Sequence, residues 1–251
     1  SPVDPKNNFR VVYFNGLATT ENVLHDKFFG ISEKALELNR KVEMYQWEEE
    51  AETSSESQVG GSEKETTTYS YKLTWSEALI DSSEFKEVNE RKNPTSMPIK
   101  SKQQFAEKVT VGGFTLPRNL ITELHGGTPV DLKEVNLEAL SKKLHKKTQL
   151  TEEGLYVGDD PATPKVGDLK ITMTIILPQT VSVIAQQTEK TLQPFIAPSG
   201  KPVSLIVMGN HSAEAMIEDA LSANQFMTWA LRLVSLFMII IGFALLMGPM
   251  V

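Results

Sequence analysis

Near the end of the chain, 19 consecutive residues from Leu233 to Val251 carry no charge and are apolar at nearly every position. As a helix rising about 1.5 Å per residue, such a run approaches the roughly 30 Å of a bilayer's hydrocarbon core. Phe226, Trp229 and Arg232 precede it, an aromatic and cationic collar suited to a headgroup boundary. The expected span includes Leu233, Phe237, Ile240, Gly242, Phe243 and Leu246. The competing reading is a buried core helix, which the length of the run and its Gly242, Gly248 and Pro249 disfavour.

Everything before the run is polar enough to fold in water. The 251 residues include 25 Lys+Arg and 32 Asp+Glu, a net charge of −7, so no basic footprint for nucleic acid is present. There are no cysteines, which excludes disulfides, thiolate nucleophiles and cysteine metal sites without fixing the compartment. The chain opens Ser1-Pro2-Val3-Asp4-Pro5, with neither an initiator Met nor an apolar leader, as expected of a processed or incomplete protein.

Strand signals dominate the first half. Phe9–Phe14 clusters β-branched and aromatic residues, and Asn15-Gly16 reads as a turn. Apolar residues recur at alternate positions over Leu36–Trp47, the pattern of a half-buried strand, and Thr66–Trp75 reads as a second. Between them, Glu48–Glu65 is acidic and poor in apolar residues, so a β-hairpin with a flexible, solvated tip is expected. Val109–Leu116 reads as a strand with a glycine bulge, Pro117–Leu124 as a short helix and Val135–Lys147 as a surface helix. Gly167–Leu177, Thr180–Gln186 and Pro202–Met208 read as short strands between Pro and Gly breakers. From Ser212, a helix cap, a stripe of Met216, Ile217, Ala220, Leu221, Met227 and Leu231 predicts an amphipathic helix. It either continues into the apolar run or breaks from it near Asn224.

Catalytic chemistry has little to stand on. His25, His125, His145 and His211 lie at no metal-ligand spacing. No nucleophile elbow and no phosphate-cradling glycine loop occurs. Glu48-Glu49-Glu50 and Asp159-Asp160 read as solvated acidic faces rather than as metal sites, and no cofactor is implied.

Specific strings do match a known pattern. Asp26 with Phe29-Gly30-Ile31 comes first, then Val42-Glu43-Met44-Tyr45-Gln46-Trp47. Tyr69, Tyr71 and Trp75 follow, then Ile80-Asp81-Ser82, Phe85 and Asn93-Pro94. The series continues through Gly167-Asp168, Ser212-Ala213-Glu214 and Thr228-Trp229. Over nearly its whole length the chain resembles the Luma family of multi-span membrane proteins. That resemblance implies a large domain facing a lumen or periplasm, one span before it and several after. In animals it implies a scaffold of the endoplasmic reticulum and inner nuclear membrane that associates with emerin, lamins and itself. Relatives also occur in bacteria, and the acidic hairpin and the apolar run here look closer to those. No catalytic residues are defined for the family.

These readings give an α+β class: a β-rich extracytoplasmic domain with antiparallel hairpins and a few helices, then a C-terminal transmembrane α-helix. The expected divisions are residues 1–211, an amphipathic helix at 212–232 and the span at 233–251. With Glu214, Glu218 and Asp219 before the run and Arg232 its only nearby cation, the domain side lacks the positive excess of a cytoplasmic flank. The expected function is a non-enzymatic membrane scaffold whose partners are lipid, itself and other membrane proteins. The alternative is a membrane-tethered hydrolytic or lipid-handling domain.

Overall fold

In a computed structural model of the chain, residues 3–57, 63–88, 90–197, 200–225, 228 and 235 are described. Two units are distinguished, residues 1–51 with 69–210, and residues 52–68 with 211–251.

The strands begin with β1 Val11–Thr19, β2 Val23–Asp26, β3 Ile31–Lys34, β4 Glu37–Ser57, β5 Glu63–Ser76 and β6 Lys102–Phe105. Next come β7 Val109–Val111, β8 Phe114–Leu116, β9 Thr128–Pro129, β10 Thr148–Leu150, β11 Leu155–Val157 and β12 Leu169–Ile176. The series ends with β13 Gln179–Thr188, β14 Thr191–Gln193, β15 Phe195–Ile196, β16 Pro202–Val203 and β17 Leu205–Met208. The helices are α1 Arg118–Thr122, α2 Leu137–Leu144 and residues 213–225.

In the first unit, β1, β7, β8, β14 and β13 pair in that order, and the β1–β13 ladder closes them into a five-stranded barrel with β17 added to β13. Closure removes strand edges. The barrel is filled by Val109, Val111, Phe114, Val181, Val183 and Ala185. Asn15-Gly16 is not a turn: β1 runs straight through it, pairing Asn15 with Ser182 and Gly16 with Val181. A Cβ on Gly16 would come within 2.9 Å of Val111 Cγ1, so this glycine serves close packing inside the barrel. Val109–Leu116 likewise forms two paired strands, β7 and β8, about a turn at Gly112-Gly113, in place of one bulged strand.

The second sheet runs β10, β11, β12, β4, β5, with β6 on β4 and β9 on β12. It encloses a separate core that includes Leu38, Val42, Met44, Leu155, Leu169 and Ile171, with α2 packing Leu140 and Leu144 into it. Tyr45 faces Trp75, Glu49 bonds Tyr71 and Thr53 meets Thr67, which fixes β4 and β5 as an antiparallel hairpin. Trp47 and Trp75 are half-buried, as the alternation predicts. The ladder extends further than expected, because residues 48–57 and 63–65 of the anticipated loop are strand.

In the second unit the hairpin end carries the Thr53–Thr67 hydroxyl contact at 3.0 Å and Ser54 Oγ donating to Thr66 O. Residues 213–225 form the expected helix, with Ser212 Oγ accepting from Ala215 N at 3.2 Å. Of the predicted stripe Met216 is buried, whereas Ile217 and Leu221 are exposed.

The α+β expectation is corrected. The molecule is mostly β, because α1 has five residues and α2 eight, so the leucine spacing after Val135 covers barely two turns. No helix among the described residues is long and apolar enough to cross a membrane, so the transmembrane α-helix of that expectation has no counterpart among them. Apart from Ser235, the run 233–251 lies outside the described residues.

Candidate functional site

Strand β4 turns its even-numbered side chains inward: Leu36 just before it, then Leu38, Arg40, Val42, Met44 and Gln46, all buried. Arg40 and Gln46 break an otherwise apolar row, and each is matched by a polar partner, as burial requires. Arg40 pairs with buried Asp26 and donates twice to Lys100 O, at 3.1 and 2.9 Å. Its guanidinium also lies 5.6 Å from the Phe29 ring. Asp26 accepts from Phe28 N, so one ion pair ties the β2–β3 hairpin to β4.

Gln46, wholly buried, donates to Ala78 O and accepts from Ile80 N, both at 2.9 Å. One residue on, Trp47 N donates to Asn93 Oδ1, and Asn93 Nδ2 donates to Trp47 O, both at 2.8 Å. Asn93 Nδ2 also reaches Ile80 O, and its own N–H donates to Ser82 Oγ. The Asn93 amide therefore mimics a neighbouring strand where β12 has ended, and the segment from Ala78 to Asn93 is clamped along β4.

Beside this clamp lies Asp168, 3% exposed. It accepts from Tyr156 Oη at 2.7 Å, Lys165 N at 2.9 Å and Lys146 Nζ at 3.0 Å. Burial, reinforced by the Asp168 hydrogen bond, pushes the Tyr156 phenol well above its usual range. Tyr45 N donates to Asp168 O and accepts at its carbonyl from Gly167 N, both at 2.9 Å. Gly167 has φ +87°, a left-handed conformation, and Pro94 closes over it, the Pro94 Cγ being 3.1 Å from where a Cβ would sit. Tyr45, Trp75 and Tyr156 form an aromatic row with centroids 5.0 and 6.3 Å apart, and Lys170 Nζ lies 4.9 Å from the Trp75 ring.

The remaining motif positions behave differently. Val42 and Met44 are core residues, and Glu43 takes a 2.8 Å bond from Lys41, which raises that amine's pKa. Tyr71 donates to Glu49 Oε2 at 2.7 Å, accepts from Glu87 N and lies 4.1 Å from the Arg91 guanidinium. Tyr69 stays exposed on β5. Asp159 and Asp160 are held by Lys165 and by Ala162 N and Thr163, which lower both carboxyls. Phe226, Trp229, Arg232, Leu233, Phe237, Ile240, Gly242, Phe243 and Leu246 lie outside the described residues.

The structure thus brings the motif residues from Val42 to Trp47, with Tyr71, Trp75, Asn93, Pro94, Gly167 and Asp168, onto one end of the second sheet. Sequence reasoning missed Arg40, Lys146 and Tyr156. Arg40 carried a legible signal, a charge at an inward position of an alternating strand; Lys146 and Tyr156 carried none. Among the described residues no group of three could hold a metal ion. A hollow of about 330 Å3 is lined by residues that include Leu79, Asp81, Val88 and Asn93.

The family model for Transmembrane protein 43 matches residues 44–251, and the chain belongs to that family, the Luma family. It is a membrane protein family. The human Transmembrane protein 43 is 32% identical over 240 residues, covering 92% of this chain and 58% of the human protein. The rat protein is 30% identical over 240 residues, covering 92% of this chain and 58% of the rat protein. The Drosophila melanogaster homolog is 28% identical over 239 residues, covering 93% of this chain and 61% of its own length. The chain therefore spans about three fifths of the curated relatives it matches. No solved structure matches it.

Proposed function

We propose that this chain supplies the large extracytoplasmic domain of a membrane scaffold, one that organises membrane protein complexes through that domain and through self-association. The observation that carries the reading is how the motif's polar groups are used. Gln46 and Asn93 each hold backbone from another segment, and the Asp168 carboxylate accepts from the Lys146 ammonium and the Tyr156 hydroxyl, so the motif acts as a framework for presenting a surface. The acidic flank before the apolar run supports a lumenal or periplasmic setting, with Phe226, Trp229, Arg232 and the residues from Leu233 onward in contact with lipid. Emerin and lamins are the partners in an animal source; in bacteria the domain lies in the periplasm.

Mass measurement of the purified protein in detergent and in nanodiscs tests the reading. Oligomers that grow with concentration are expected. A monomer at every concentration, with no co-purifying membrane protein, would end the scaffold proposal.

A further inference from the structure

Beyond Met44 the only strand beside β4 among the described residues is β5, and β5 has no strand on its outer side. No backbone-to-backbone hydrogen bond links residues 65–76 to anything outside the hairpin among the described residues. A two-stranded ribbon alone is marginal in water, and an open edge is a template for another strand.

The two edges differ in chemistry. Along β4, Glu48, Glu49, Glu50 and Glu52 crowd four carboxylates into five residues. Along β5, Thr66-Thr67-Thr68-Tyr69-Ser70-Tyr71 has no charge and no proline, and its Thr and Tyr favour strands. Lys72, next in line, is occupied by Glu48 and Glu50 of its own hairpin. From Thr66 to Tyr71 this edge lacks the lysines, prolines and inward charges that guard solitary strands.

We propose that β5 pairs antiparallel with β5 of a second copy, about a two-fold axis at Tyr69. The proposal rests on the self-association put forward above and assigns it a surface. A two-fold axis between antiparallel strands runs perpendicular to the sheet, so facing residues must share parity. Centring on Tyr69 places Thr68 opposite Ser70, Thr67 opposite Tyr71, Thr66 opposite Lys72 and Glu65 opposite Leu73. No like charges meet. The same operation on β4 about Glu50 would set Glu50 against Glu50 and Glu48 against Glu52, so charge selects β5 as the self-complementary edge.

The test uses the full-length membrane protein in detergent and nanodiscs. These 251 residues have no cysteine, so Tyr69→Cys introduces the one thiol among them, the wild type serving as the control for thiols elsewhere in the full-length protein, and facing Cα atoms about 4.5–5.5 Å apart lie within the span of a disulfide. Mild oxidation should give a covalent dimer with Tyr69→Cys and none with Glu50→Cys. Tyr69→Lys and Tyr69→Glu should each weaken dimerisation about tenfold, and an equimolar mixture of the two should restore it. The register of the hairpin sets Ala51 across from Tyr69, so neither charge clashes within its own ribbon, and far-UV circular dichroism should be unchanged. A wild-type oligomer that survives Tyr69→Lys, with no cross-link through residue 69, overturns the β5 interface and leaves the scaffold standing. A monomeric wild type overturns the β5 interface together with the self-association it rests on.

Discussion

Replacing Asn93 with Ala removes the side chain that stands in for a strand beside Trp47. Three hydrogen bonds vanish, those from Trp47 N and those to Trp47 O and Ile80 O. At about 0.5–1.5 kcal/mol each for a half-buried site that admits some water, the expected loss is about 2–4 kcal/mol. Asn93→Asp sharpens the test because it is nearly isosteric. It keeps an acceptor for Trp47 N–H but turns a carboxylate oxygen toward the carbonyls of Trp47 and Ile80. At neutral pH it should therefore cost at least as much as Ala, and it should recover part of the loss below about pH 4, where the carboxyl protonates. Urea denaturation with a fitted m value reads the global loss, and amide exchange at Trp47 reads the local one. Midpoint shifts worth less than about 0.5 kcal/mol in both variants, with Trp47 still protected, would refute the clamp.

Arg40→Met should cost about 3–5 kcal/mol, because it strands the Asp26 carboxylate in the core, whereas the double change with Asp26→Leu should recover most of that; a chemical-denaturation cycle with additive losses would contradict the buried pair. Tyr156 has its phenol pKa raised by folding, so the stability it contributes is fully present below about pH 10 and declines as pH rises toward the folded value. Urea midpoints measured from pH 9 to 11.5 should fall more steeply in the wild type than in Tyr156→Phe, and parallel curves would dismiss this coupling. Gly167→Ala should cost about 1–2 kcal/mol from its left-handed backbone alone, with further crowding against Pro94; an unchanged melting curve would count against it.

Local patterns carried β4, β5 and β12 of the second sheet, whereas β6, β9, β10 and β11, two to four residues each, are too short to show a period. The alternation from Leu36 to Trp47 gave the strand and its inward face, and the Thr66–Trp75 run gave its partner. The barrel was far less legible. Its closure depends on Val11–Ala18 meeting Gln179–Gln186 across more than 150 residues, and no local signal encodes that pairing. Asn15-Gly16 misled for the same reason, since a glycine needed for contact with Val111 looks in sequence like one needed for a turn. At the site, the motif string marked the right place without revealing its chemistry. Gln46 and Asp168 stood in it, but their partners Ala78, Ile80, Tyr156 and Lys146 are supplied by tertiary packing.

Sidedness is the most direct test of the account. In sealed vesicles with the cytoplasmic face outward, protease should leave the Glu48–Glu65 end of the β4–β5 hairpin intact until the membrane is permeabilised, after which the same protease should cut it. Cleavage there in sealed vesicles would put the domain in the cytoplasm and contradict the extracytoplasmic scaffold.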